Sequence, residues 1–86
     1  MSKVTMYYKT TCPYCMRAEK LLKERGVTDL EKINIETNRE ARAEMIERSS
    51  GRTTVPQIFI NGIHVGGCDD IHALDAEGKL VSMLSA

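Results

Sequence analysis

Val4-Thr5-Met6-Tyr7-Tyr8-Lys9-Thr10-Thr11-Cys12-Pro13-Tyr14-Cys15-Met16-Arg17-Ala18-Glu19-Lys20-Leu21-Leu22 is the stretch from which the rest of the chain is read. Its first five residues are rich in β-branched and aromatic side chains and end at a polar Lys-Thr-Thr break, which predicts a strand. From Pro13 the pattern changes. Met16, Ala18, Leu21 and Leu22 recur at helical spacing, with Lys and Glu on the other face. Pro13 suits a first helical turn, where its missing N–H costs nothing, and Gly26 is a natural stop. A C-x-x-C pair therefore sits where a strand hands over to a helix.

Working outward, Leu30 to Ile35 alternates and predicts a second strand. Thr37-Asn38-Arg39-Glu40 has the form of a capping box and starts a second helix, with Ala41, Met45 and Ile46 as its apolar stripe. Val55 to Ile60 reads as a central strand. Asn61-Gly62 is a strong hairpin signal leading into Ile63-His64-Val65. Gly66-Gly67 breaks the sheet, Asp69-Asp70 precede a helical stretch through Leu74, and Leu80, Val81 and Leu84 form a last turn. The order β-α-β-α-β-β-α predicts an α/β fold, a four-stranded mixed sheet flanked by three or more helices, with a right-handed parallel crossover.

Length and composition bound the function. The 86 residues make a single domain, 1–86, with no linker or repeat. Twelve Lys plus Arg balance twelve Asp plus Glu, and only four residues are aromatic. A neutral chain with so few stacking groups is a poor nucleic-acid binder. No apolar run is long enough to span a bilayer, and the N-terminal residues lack the apolar core of a secretory signal, so a cytoplasmic location is expected. Three cysteines do not make a disulfide framework. In a chain of this kind a C-x-x-C pair points to redox chemistry or to metal.

The position of the pair favours redox use. A thiol reacts as thiolate, and free N–H groups at a helix N-terminus stabilise an anion. Cys12, exposed ahead of the helix, is the expected nucleophile. Cys15, more covered in the first turn, is the expected resolving thiol. The alternative is a zinc site in which Cys12, Cys15 and Cys68 are joined by His64 or His72. The chain has no second C-x-x-C or H-x-x-x-H pair to support it.

Cys12-Pro13-Tyr14-Cys15, then Thr54-Val55-Pro56, then Gly66-Gly67-Cys68-Asp69-Asp70 together resemble the glutaredoxin family, its bacterial dithiol branch in particular. The resemblance runs from the first strand to the last helix. It implies a thioredoxin fold, no bound cofactor, and glutathione as electron-donating co-substrate. The implied partners are disulfide-containing or glutathionylated proteins, ribonucleotide reductase among those of the family, and the implied state is a monomer. It also implies a cis bond before Pro56.

The residues accommodate glutathione, a short extended peptide with two carboxylates and one ammonium. Val55 beside Pro56 would offer its N–H and C=O like one rung of a sheet. Lys9 would meet a carboxylate and favour the thiolate. Arg52 and Thr54 would hold the glycine-end carboxylate, and Tyr14 would pack over the ligand. Gly67, Cys68, Asp69 and Asp70 would present N–H groups to the γ-glutamyl carboxylate and an aspartate to the ammonium, Asp69 before Asp70. Asp69 is also a natural N-cap. For Lys9 and Arg52 the plainer reading is a solvated surface cation. The Cys68 side chain reads as a small buried filler, and His64 and His72 as surface residues. Two other readings remain: a redoxin fed by thioredoxin reductase, which Lys9, Arg52 and Asp69 disfavour, and an iron–sulfur carrier, which Pro13 and Cys15 disfavour.

Overall fold

The computed structural model describes residues 3–85. The elements run β1 (Val4–Tyr8), α1 (Pro13–Glu24), β2 (Leu30–Asn34), α2 (Arg39–Arg48), β3 (Gln57–Ile60), β4 (Ile63–Gly66), α3 (Cys68–Ala76) and α4 (Lys79–Ser85). The sheet order is β2-β1-β3-β4. β1 runs parallel to β2, with Val4 opposite Leu30, and antiparallel to β3, with Val4 opposite Ile60. The expected mixed sheet is thus formed, and the last turn of the sequence reading is a separate helix, α4.

The two-residue period of the strands sorts the core into two layers. Val4, Met6, Ile58 and Ile60 face one way and pack with Ala18, Leu21, Leu22, Cys68, Ile71 and Leu80 from α1, α3 and α4. Tyr7 and Phe59 face the other way and pack with Ile35, Ala41 and Met45 beneath α2. Their rings meet edge-on at 5.6 Å. The Tyr7 hydroxyl, though the residue is fully buried, donates to Glu44 and accepts from Arg48 Nη1 at 2.7 Å, tying α2 to the central strand.

Four local expectations shift. Met16 is 66% exposed rather than part of the α1 stripe, because the buried face is Cys15, Ala18, Leu21 and Leu22. Met16 lies about 100° around the helix from Cys15. α2 is capped by Asn38, not Thr37. Asn38 is extended and its Oδ1 accepts from Ala41 N–H at 3.1 Å. Glu40 then falls in the first turn, complementing the dipole instead of reaching back. β3 begins at Gln57, since Thr54 to Pro56 form the loop that enters it. α3 begins at Cys68, so Asp69 and Asp70 lie inside its first turn instead of ahead of it.

The Asn61-Gly62 turn behaves as expected. Both residues have positive φ, 52° and 81°, as a type I′ hairpin requires. Asn61 also exchanges bonds with Lys3: its N–H donates to the Lys3 carbonyl and its Oδ1 accepts from the Lys3 N–H. The hairpin tip is therefore stitched to the start of β1. Among the described residues, no helix is long and apolar enough to cross a membrane.

Candidate active site

Three segments meet at the C-terminal end of β1. The first carries Cys12, which is the N-cap of α1: its backbone is extended, Pro13 follows at the first helical position, and its Sγ accepts from the Cys15 N–H at 3.2 Å. The thiol sulfur thus takes the place of a capping oxygen, at the positive end of the helix. Cys15 is 3% exposed and Cys12 8%. The expected order of cover holds, but Cys12 is not openly exposed, because the Val55 carbonyl lies 3.9 Å from its sulfur. Cys12, Cys15 and Cys68 are all unbridged.

Burial is the largest influence on Cys15 and pushes its thiol up to about 12; the hydrogen bond with Cys12 adds to this and the Lys9 backbone opposes it. Burial likewise raises Cys68, against the pull of Arg17. The Cys68 side chain belongs to the core beneath α1 and α3, as a filler would.

The second loop is Arg52 to Pro56. The Val55-Pro56 bond is cis, Pro56 is buried and Val55 half-buried. Thr54 is exposed, yet its carbonyl and hydroxyl oxygens both accept from the side-chain amide of Gln57. The third is the junction at Gly66-Gly67, where β4 ends and α3 opens. A Cβ on Gly67 would lie 3.1 Å from the Pro56 carbonyl, so the start of α3 abuts the proline loop.

Asp70 braces the start of α3. Its Oδ2 accepts from the Gly67 N–H at 2.8 Å and from Arg52 Nη1 at 3.1 Å. The Gly67 bond first, then Arg52, holds its carboxyl below the usual range. Asp69 is exposed, and it is not the cap, because Gly67 occupies that position. Gly66 has φ +110°, and a Cβ there would fall 2.3 Å from Asp70 Oδ2. Glycine at 66 is therefore what lets the carboxylate reach the helix start.

Arg52 is brought to this cluster, while the Lys9 backbone lies against Cys15. Lys9 is exposed and lies close enough to Glu36 to help lower its carboxyl, a shift caused first by the Thr10 N–H. Asn34 braces the same segment: its amide donates to Thr10 Oγ1 and its Oδ1 accepts from the Glu36 N–H. Tyr14 is 54% exposed at the rim, with the Arg17 guanidinium 5.7 Å above its ring.

Sequence reasoning missed Gln57 and His64. Gln57 is fully buried, and His64, expected on the surface, is half-buried with Nε2 2.7 Å from Gln57 Oε1. The available signal was a lone amide in the otherwise apolar run Pro56-Gln57-Ile58-Phe59-Ile60. His72 is exposed, as expected. Among the described residues, no three His, Cys, Asp or Glu side chains are grouped to hold a metal ion.

Residues 4–65 match the glutaredoxin family model. Glutaredoxin 3 of Escherichia coli (strain K12) is 55% identical over 84 residues, covering 98% of this chain and 99% of that protein. The solution structure of a glutaredoxin from Brucella melitensis superposes with a TM-score of 0.82 at 52% identity, covering 95% of this chain and 87% of that one. A buckwheat glutaredoxin–glutathione complex gives a TM-score of 0.87 at 33% identity, covering 98% of this chain and 77% of that one. Sequence, topology and a dithiol at the head of α1 agree: the chain belongs to the glutaredoxin family of thiol-disulfide oxidoreductases.

Proposed function

We propose that the chain is a cytoplasmic, monomeric, single-domain reductase. It uses glutathione to reduce protein disulfides and glutathione mixed disulfides through Cys12 and Cys15. The observation that carries this is the Cys12 sulfur at the α1 N-cap, with the Cys15 thiol one turn behind it and the Val55 carbonyl and α3 N-terminus close by. The relative solved with glutathione supports the choice of donor.

Toward a glutathionylated protein, the Cys12 thiolate attacks the glutathione sulfur. A Cys12–glutathione disulfide forms and the protein thiolate leaves. A second glutathione attacks the bound glutathione sulfur, releasing glutathione disulfide and restoring the Cys12 thiolate. Toward a protein disulfide, Cys12 forms a mixed disulfide and expels one protein thiolate. Cys15 then attacks Cys12 Sγ, the second protein thiolate leaves, and a Cys12–Cys15 bond closes. Two glutathiones reopen it and leave as glutathione disulfide. Because burial favours the protonated form of Cys15 in the reduced protein, it stays a thiol while Cys12 reacts and gives up its proton as it resolves.

In the bound state, Thr54, Val55 and Pro56 would align the peptide backbone of glutathione. Lys9 and Arg52 would meet its glycine carboxylate, and Tyr14 would cover it. The Gly67 and Cys68 N–H groups would meet the γ-glutamyl carboxylate, with Asp69 and Asp70 toward the ammonium. Ribonucleotide reductase is one protein disulfide the pair would serve.

The test separates the two thiols. Cys12→Ser abolishes all transfer. Cys15→Ser keeps deglutathionylation of a glutathionylated peptide and loses reduction of a protein disulfide. Activity in Cys12→Ser with none in Cys15→Ser would reverse the assignment. Turnover with thioredoxin reductase but not with glutathione would overturn the donor.

A further inference from the structure

Gln57 stands at the head of β3 with no exposed surface. A buried primary amide is costly unless its donors and acceptor are matched. Its Nε2 donates to the Thr54 carbonyl at 3.0 Å and to Thr54 Oγ1 at 3.2 Å. Its Oε1 lies 2.7 Å from His64 Nε2.

These contacts fix the chemistry of all three residues. A backbone carbonyl only accepts, so the Gln57 nitrogen must face Thr54 and its oxygen must face His64. An amide oxygen also only accepts, so His64 Nε2 carries a proton and donates it. The His64 ring is seated on Phe59, with centroids 5.1 Å apart, and its backbone pairs with Phe59 across β3 and β4. The donor is held by a sheet and a ring on one side and aims at a buried amide on the other.

We infer that His64 is a positioning residue for glutathione binding: through Gln57 it sets the Thr54 carbonyl and hydroxyl, and so the Thr54-Val55-Pro56 backbone along which the tripeptide lies. The inference rests on the proposed use of glutathione at that loop. His64 touches neither thiol, so its contribution is to binding and not to the sulfur chemistry. The chain Thr54–Gln57–His64 supplies, from the edge strand, the fixed point that an exposed loop residue such as Thr54 lacks on its own.

The test uses two substitutions of opposite expectation. His64→Gln places an amide nitrogen the same number of bonds from the backbone as Nε2 and keeps the donor. His64→Phe keeps the ring over Phe59 and loses the donor. In glutathione-dependent reduction of a glutathionylated peptide, His64→Phe raises the apparent KM for glutathione roughly three- to tenfold, the worth of one neutral hydrogen bond. Its kcat and its rate of Cys12 alkylation by iodoacetamide stay at the wild-type values. His64→Gln restores the wild-type KM. A wild-type KM in His64→Phe, no rescue in His64→Gln, or an equal fall in kcat and alkylation would overturn the inference.

A second measurement needs no glutathione. The Gln57 side-chain amide protons, held by Thr54, exchange slowly with solvent in the wild type and in His64→Gln, and faster in His64→Phe. Unchanged exchange overturns the tether. Faster exchange in a protein that does not saturate with glutathione keeps the tether and overturns the donor instead.

Discussion

Gly66→Ala is the perturbation that most directly tests how the start of α3 is held. The backbone at 66 has φ +110°. For a residue with a side chain such a conformation costs about 1–3 kcal/mol. The new Cβ would lie 2.3 Å from Asp70 Oδ2, 2.6 Å from Cγ and 2.7 Å from Cβ. Swinging the carboxylate away does not relieve the last contact, so the first turn of α3 has to move too. With it goes the Asp70 bond to the Gly67 N–H, about 0.5–1.5 kcal/mol more. The sum, about 1.5–4.5 kcal/mol, is a fall of roughly 6–36 °C in Tm for a domain of this size. Far-UV circular dichroism melts read it directly. Introduced into Asp70→Ala, the same substitution should cost about 1 kcal/mol less, since the carboxylate contact is already gone. A Tm within about 4 °C of wild type would correspond to less than 1 kcal/mol. It would refute the claim that glycine at 66 is required for Asp70 to reach the helix.

Lys9→Glu and Arg52→Glu each raise the apparent glutathione constant, by about tenfold where a charge-assisted bond is lost. An unchanged constant removes that residue from the site. Because Cys15 is raised in the fold to about 12, its neutral form favours the native state. That stability is fully present below the free-thiol value of ~8.5 and is lost as pH rises from there toward the folded value. Urea midpoints of the reduced protein should therefore fall between pH 8 and 10 less steeply in Cys15→Ser; equal slopes would contradict the burial of this thiol. Tyr7→Phe removes the hydroxyl shared by Glu44 and Arg48 and should cost about 1 kcal/mol in urea unfolding, with glutathione turnover unchanged.

The parts of the molecule written in local chemistry were legible. The strand-to-helix handover at Cys12-Pro13, the Asn61-Gly62 turn and the two-sided strands Val4–Tyr8 and Gln57–Ile60 each follow from residue type and period. What was hidden depends on partners distant in the chain. Thr37 and Asn38 are both good caps, and the helix starts at Asn38, from which Ala41 and Met45 reach the core under the sheet. Asp69, the first of the pair, is the natural cap on paper, yet Asp70 is the one that braces the helix start. Asp70 prevails because the third residue of the first turn reaches back to Gly67, where Arg52, 18 residues earlier, also arrives. His64 looked like an edge-strand surface residue because the lone amide in the apolar run before it, Gln57, does not announce which residue meets its acceptor.

The central place of β1 bears on how the chain comes off the ribosome. β1 is made before both of its partners, β2 on one edge and β3 on the other. Until Leu30 and then Ile60 have been synthesised, both edges of an apolar segment, Val4 to Tyr8, lack their partners. Open strand edges invite pairing with other nascent chains, and contacts so far apart in sequence form slowly. α1, complete by Glu24, is made before either partner and can shield the strand while it waits. The redox helix is thus also the first cover for the sheet it will serve.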